Sequence, residues 1–288
     1  MTALTLSAAL QELRSRFGKA GIAEPAADAR VLIAGLLDLS PTAFLSSPER
    51  PLTPDEAERI EAAALRRIAR EPVHRILGHR EFHGLQFLLS KGTLEPRPDT
   101  EILVDTCLPH LHRIVAVKGE ASLVDLGTGT GAIALALLAS IPQAVATGAD
   151  ILPDALETAR QNAINLGLEA RFKAVKSNWT DAITDLHDLV VSNPPYIASA
   201  VVAALEPEVR DHDPAAALDG GEDGLEAYRA LALCVPGILA AGGILALEIG
   251  YDQKVSVTDI FHDAGFRLEQ AVKDYGGNDC VLVFSRDA

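Results

Sequence analysis

The sequence predicts an α/β fold: a mostly parallel seven-stranded sheet with an antiparallel last strand, a small helical bundle ahead of it, and a β-hairpin linking the two. Three observations predict it. Residues 1 to about 75 repeat apolar side chains at helical spacing. From residue 120 onward, apolar runs of strand length alternate with helical segments, the pattern of parallel strands covered by helices on both faces. Between the last two runs lies only "KDYGGND", too short for a helical crossover, so these two strands form an antiparallel hairpin.

Taken in order, the bundle begins with Leu6, Leu10, Leu13 and Phe17 on one helical face, and a second apolar stretch runs from Ala26 to Leu39. The stretch "LTPDEAERIEAAALRRIAR" starts a third helix, with Thr53 as N-cap, Pro54 in the first helical position and Glu56 completing a capping box. Residues 1–75 make one domain, readable equally as a partner-docking module or as a packing appendage. Residues 76–100, "ILGHREFHGLQFLLSKGTLEPRPDT", read as the hairpin and a loop. Residues 101–288 form the sheet domain. Its strands are "SLVDLG", "AVATGAD", "RFKAVKS", "HDLVVSN", "GGILALEIG", "FRLEQAV" and "CVLVFSR", and its helices include "AIALALLASI", "PDALETARQNAINLG" and "GLEAYRALALCV". Residues 230–247 carry no charge, at the lower limit of a membrane span. Pro236, Gly237 and the pair Gly242-Gly243 break the run, so it reads as helix, turn and buried strand instead.

Composition narrows the function. A net charge of −15 argues against a surface that tracks nucleic-acid phosphates, which needs clustered Lys and Arg. Cys107, Cys234 and Cys280 lie far apart with no C-x-x-C pair, which disfavours a zinc ribbon or a disulfide scaffold and suits a reducing cytoplasm. The opening "MTALTLSAALQELRSRFG" lacks the basic start and unbroken apolar run of a signal peptide. No membrane partner is expected. Nor is a metal: His212, His110 and His112 are explained by solvated loop and helix positions.

Two motifs carry the chemistry. In "LVDLGTGTGAIALALL", Gly127, Thr128, Gly129, Thr130 and Gly131 lie between a strand and a helix. Glycines there let the backbone turn and approach a ligand, and the helix N-terminus favours negative charge. Asp150 closes the next strand, where a carboxylate can accept both ribose hydroxyls of a nucleoside or simply open the following helix in water. Together they point to a nucleoside-bearing cofactor without choosing it. With Ala132 in the last glycine position, a nicotinamide or flavin enzyme fits too. Asp125 could bind a cationic amine or hold the loop by hydrogen bonds. Trp179, the single tryptophan, follows the third strand and could border an adenine or fill space.

The second motif is Asn193-Pro194-Pro195-Tyr196, at the end of the fourth strand. Proline lacks an N–H and biases its predecessor toward extended geometry, so the segment is stiff, with bare carbonyls. A planar –NH2 group can give one hydrogen to the Asn193 side-chain oxygen and the other to the Pro194 carbonyl, with Tyr196 against its plane. Such a grip aims the nitrogen at an electrophile across the cofactor cleft, and positioning supplies much of a bimolecular barrier.

With these residues the chain resembles the class I S-adenosylmethionine-dependent methyltransferases that modify amide or exocyclic amino nitrogens. Within them it is most similar to the protein-(glutamine-N5) methyltransferases of peptide chain release factors. The resemblance runs nearly full length, through "GHREFHGLQF", "EPRPDTEILVD", "DLGTGTGAIALALL", "SNPPYI", "DGGEDGLEAYRAL" and "DYGGNDCVLVF". "RPDTE", Arg97 to Glu101, separates it from general nitrogen methyltransferases. The resemblance implies a Rossmann-like methyltransferase sheet. It also implies S-adenosyl-L-methionine held by Gly127 to Gly131, Asp150, Asn193 and Trp179, and a glutamine amide held by Asn193 to Tyr196. Its implied protein partner is a class I release factor, methylated in its Gly-Gly-Gln loop. Asp213 stands where the family suggests Glu, and Cys280 where it suggests Arg. Two rivals remain open on these residues. A nucleic-acid adenine-N6 methyltransferase would methylate DNA or RNA instead, and a nicotinamide oxidoreductase would bind that cofactor in dialysis.

Overall fold

The computed structural model describes residues 4–40 and 42–286; residues 1–3, read above for a leader, lie outside them. Contacts divide the chain into two units, Met1–His79 with Pro207–His212, and Arg80–Glu206 with Asp213–Ala288.

The first unit contains α1 (Leu6–Lys19), α2 (Pro25–Leu37), α3 (Ala43–Ser46), α4 (Pro54–Ile68) and α5 (Val73–Leu77). Leu6, Leu13 and Phe17 of α1 are buried against Leu32 and Ile33 of α2 and Ile60 of α4, as the helical spacing requires. Thr5 caps α1 by accepting from the Ala8 N–H at 3.3 Å. The capping box of α4 is complete: the Glu56 N–H donates to Thr53 Oγ1 at 3.2 Å, and the Thr53 N–H donates to Glu56 Oε2 at 2.9 Å. Segment Pro207–His212 comes from far along the sequence and adds Glu208 to this unit. Glu208 accepts from Arg67 Nη2 at 2.9 Å and from Arg70 Nη2 at 2.7 Å, while Arg67 Nε donates to Asp28 at 2.8 Å.

Apart from His79, the hairpin of β1 (His79–Phe82) and β2 (Leu85–Leu88), turned by His83 and Gly84, both at positive φ, opens the second unit. Next come α6 (Glu101–Lys118), β3 (Ala121–Leu126), α7 (Ala132–Ser140), β4 (Ala144–Asp150), α8 (Pro153–Asn165), β5 (Phe172–Lys176) and β6 (His187–Ser192). After the short turns α9 (Ser199–Val202) and α10 (Pro207–Arg210), the latter in the first unit, come α11 (Glu226–Cys234), β7 (Leu239–Glu248), α12 (Lys254–Asp263), β8 (Phe266–Lys273) and β9 (Asp279–Arg286). Among the described residues the main sheet has seven strands in the order β5-β4-β3-β6-β7-β9-β8. β9 is antiparallel to both neighbours and the rest of the ladder is parallel.

The hairpin thus contributes its second strand to the sheet interior and its first to the edge. Patterning explains the choice. β9 carries the unbroken apolar run Cys280–Phe284, buried throughout, whereas β8 alternates with Arg267, Glu269 and Gln270, which suit an exposed edge. Side chains alternate across the sheet. Leu189 and Val191 of β6 join a core with α6, α7, α8 and the hairpin residues Phe82 and Phe87. Val190 joins the opposite core, with Tyr228 and Leu231 of α11 and Phe261 of α12. The uncharged run 230–247 resolves into the end of α11, a turn over Val235–Gly237 and most of β7. Among the described residues no helix is long and apolar enough to cross a membrane.

Candidate active site

β3 and β6 lie side by side, yet the connection after β3 runs outward to β4 and the one after β6 runs the other way to β7. Strand order reverses between them, and in open α/β sheets ligands bind beyond the carboxyl ends at such a reversal. The glycine loop leaves β3 at this point and Asn193 follows β6. A cleft of about 290 Å³ opens there, lined by Gly127 to Thr130, Asp150, Trp179, Asn193 and Pro195 among others.

The loop is built from its own backbone. The Gly127 and Thr128 N–H groups both donate to the Ala149 carbonyl at 2.9 Å, and the Gly131 N–H closes onto the Thr128 carbonyl at 2.8 Å. Gly131 has φ +81°, and a Cβ there would sit 3.0 Å from Leu135 Cδ1 and 3.3 Å from Ala159 Cβ, so strain and crowding both select glycine. At Gly129, φ is +54° with open space where a Cβ would be. Asp150 ties the loop to α8: Oδ2 accepts from the Gly129 N–H and Oδ1 from the Leu152 N–H, each at 2.9 Å. A carboxylate has about four acceptor positions, so Asp150 keeps capacity toward the cleft.

Asp125 takes the second of its two readings. It is fully buried, does not line the cleft, and accepts from Thr128 Oγ1 at 2.8 Å. Burial pushes its carboxyl up to about 7. Trp179 lines the cleft, half-buried, at positive φ.

The Asn-Pro-Pro-Tyr segment divides between two surfaces. Asn193 and Pro195 line the cleft, Pro194 is buried, and Tyr196 lines an adjoining recess with Glu248, Asp99 and Cys280. Among the described residues no N–H or O–H is directed at the Pro194 carbonyl. Asn193 Nδ2 donates to Thr100 Oγ1 at 3.2 Å, and the Tyr196 hydroxyl donates to Glu248 Oε1 at 3.5 Å. Burial and the neighbouring Glu248 raise the Tyr196 phenol well above its ordinary range. The two departures from the family pattern also find places here. Asp213 is buried and accepts from Arg97 Nη2 at 2.7 Å, and Cys280 is buried with its thiol against the Asp99 carbonyl.

Sequence reasoning did not single out three residues that shape this site. Thr100 lies inside "RPDTE" and anchors Asn193. Asn162 of α8, fully buried, accepts from the Leu88 N–H at 2.8 Å and donates to the Thr130 carbonyl at 2.9 Å, tying the hairpin to the glycine loop. Glu248 ends β7, and the signal that could have found it is an acid closing an otherwise apolar strand. Among the described residues no group of His, Cys, Asp and Glu is arranged to hold a metal ion.

Comparison with known proteins follows this geometry. Residues 8–78 match the model of the PrmC N-terminal domain, and residues 100–207 match that of the methyltransferase small domain. A release factor glutamine methyltransferase of Agrobacterium fabrum is 56% identical over 98% of both chains. One from Rhodospirillum rubrum is 45% identical over 100% of this chain and 87% of its own. Among solved structures, a methyltransferase from Pyrococcus furiosus shares the fold, with a TM-score of 0.54 at 19% identity over 79% of this chain and 98% of its own.

Proposed function

This chain belongs to the release factor glutamine methyltransferases, and from that premise we propose that it methylates the side-chain nitrogen (N5) of the glutamine in the Gly-Gly-Gln loop of class I peptide chain release factors. The observation that carries the reading is the neighbourhood of β3 and β6, which sets Asn193 and Pro195, at the start of the donor-poor Asn-Pro-Pro segment, on the same cleft as the glycine loop.

The residues present fit S-adenosyl-L-methionine. Gly127, Thr128, Gly129, Thr130 and Gly131 offer a backbone cradle, with open space beside Gly129 where any side chain would intrude. Asp150 has acceptor capacity for ribose hydroxyls, Trp179 offers a flat face for adenine, and Asn193 borders the same cleft. When bound, this cofactor supplies an electrophilic methyl group on a sulfonium.

An amide nitrogen is a weak nucleophile because its lone pair is shared with the carbonyl, so the protein must supply positioning. Asn193 Oδ1 and the Pro194 carbonyl each accept one hydrogen of the substrate –NH2, leaving the nitrogen's remaining density facing the methyl. Pro194 and Pro195 bring no donor to compete, and Tyr196 supports the carboxamide plane. No strong base is required, since a protonated N-methyl amide loses its proton readily to water. The chemistry needs neither a nucleic acid nor a membrane, and a release-factor substrate places the enzyme in the cytoplasm.

Methyl transfer from labelled cofactor to purified class I release factors, with the product mapped by mass spectrometry, tests the proposal. One methyl on the Gly-Gly-Gln glutamine is expected. Label appearing in DNA, RNA or another residue instead overturns it.

A further inference from the structure

A carboxamide has two ends of nearly equal size, so shape alone does not decide whether Asn193 shows the cleft its oxygen or its –NH2. Hydrogen bonds must decide. Behind Asn193 stand Thr100 and Glu248. Asn193 Nδ2 donates to Thr100 Oγ1, and the Thr100 hydroxyl retains a hydrogen of its own to give. Glu248, only 4% exposed, is the acidic group that Thr100, Asn193 and Tyr196 all face. Its Oε1 takes the Tyr196 hydroxyl, while its Oε2 has no hydrogen-bond partner among the described residues. The Tyr228 hydroxyl donates to the Glu248 backbone carbonyl at 3.0 Å, which fixes the end of β7.

We propose that Glu248 is a positioning residue for methyl transfer: its ionised carboxylate, with Thr100, keeps the –NH2 end of Asn193 turned inward so that Oδ1 faces the incoming amide. This rests on the reading of Asn193 as an amide acceptor. An ionised carboxylate only accepts, so it selects the –NH2 end. A protonated one has a hydrogen to donate and selects Oδ1 instead. The carboxamide then turns, and the cleft presents a donor to a substrate that brings donors.

Other groups facing Glu248 set where this happens. Asp99 stands on the turn before α6, Tyr196 after β6, Tyr228 on α11 and Cys280 on β9. Asp274 and Asp279 share the recess, and Lys254 answers Asp279 at 3.3 Å. Arg97 acts on Tyr196. Burial is the largest influence on Glu248 and pushes its carboxyl up to about 7, against the opposing pull of Thr100 and Asn193. The carboxylate therefore forms as pH rises through that value and is lost as pH falls through it.

Two measurements test this. The first follows kcat at saturating cofactor and release factor between pH 5.5 and 8.5. Wild type is expected to lose about tenfold per unit below pH ~7. E248Q, whose amide can donate to Asn193 Oδ1, is expected to be about tenfold to a hundredfold slower, with that acid limb gone. Its cofactor affinity by calorimetry should stay within about twofold, since Glu248 does not line the cofactor cleft. Wild-type kcat in E248Q, or an unchanged acid limb there, overturns the proposal. The second follows the Asn193 side-chain –NH2 resonances of the 15N-labelled wild-type protein without cofactor, assigned by their loss in N193D. They should shift with a midpoint near 7, and resonances that stay still across this range overturn the proposal even if E248Q does not fold. This arm needs no substrate, so its failure is distinct from an absence of release-factor methylation, which would sink the proposed function itself.

Discussion

The two units differ in whether they hold buried acids that no cation answers. In the helical unit, Arg67, 5% exposed, lies between Asp28 and Glu208, and Arg70 shares Glu208, so each guanidinium meets a carboxylate. The sheet unit pairs Glu95, Asp188 and Asp213 in the same way, with Arg80, Lys118 and Arg97. It also holds Asp125 and Glu248, which are at least as deeply buried as Arg67 but are answered by hydroxyl and amide groups, with both carboxyls raised to about 7. A buried pair with both partners in place holds elements together, and removing one partner strands the other. A buried acid without a cation costs stability and persists where it orients something else. Both such acids lie near the carboxyl ends of their strands, Asp125 under the glycine loop and Glu248 in the recess behind Asn193. The difference separates the part of the molecule built to stand from the part built to receive a ligand.

The sharpest way to break this contrast is Asn193→Ala. Loss of a positioned acceptor should lower kcat about a hundredfold or more, with cofactor affinity within about threefold. Turnover within a few-fold of wild type would remove the rim from the chemistry. Next is Glu208→Ala, which leaves Arg67 with one partner and Arg70 with none of its own carboxylate. It should cost the helical unit about 2–3 kcal/mol in urea unfolding, while a change below ~0.5 kcal/mol would mean the pairing contributes nothing.

The unpaired acids make a subtler prediction about pH. Their ordinary values are 3.8 for Asp125 and 4.5 for Glu248, and both are raised in the fold. Between those values and about 7 the folded state holds protons that the unfolded chain has lost, so their stabilising contribution is present at low pH and fades as pH rises through about 7. The unfolding free energy of the cofactor-free protein, from urea curves, should fall between pH 5.5 and 8, by on the order of 1–2 kcal/mol for each group. The paired carboxylates Glu56, Glu61 and Glu71 have lowered values, stay ionised across this window and add no slope. A flat profile, or one unchanged in D125N and E248Q, would erase the distinction between the units. The smallest effect belongs to Thr53→Ala, which removes half of the α4 capping box and should cost about 1 kcal/mol, measured by the same unfolding curves and independent of pH.

Much of this was legible in the chain because it is local. The capping box of α4, the heptad-like apolar face of α1 and the glycine loop are each written within a few residues of one another. Even the Asn-Pro-Pro-Tyr rim announces itself, since proline acts on its immediate neighbours. The hairpin β8–β9 was readable from its short connection, and the burial pattern of β9 against the charged β8 hints which strand goes inside. What could not be read was partnership at a distance. Thr100, Asn193 and Glu248 are separated by 93 and 55 residues and belong to a turn, a strand end and another strand end. Asn162 looks like any polar residue on α8 until Leu88 and Thr130 are placed beside it.

Sequence alone therefore determined the order of strands and helices, the cradle after β3, the stiff rim after β6, and through them the kind of chemistry the protein performs. Tertiary structure decided what lies behind that rim, which end of Asn193 is held, and that Glu208 belongs with the helices rather than with its neighbours in the chain. The reason is physical. Backbone preference and periodicity act over one or two turns, whereas the protonation of a carboxyl and the facing of an amide are set by whichever groups the fold crowds against them once water has been excluded.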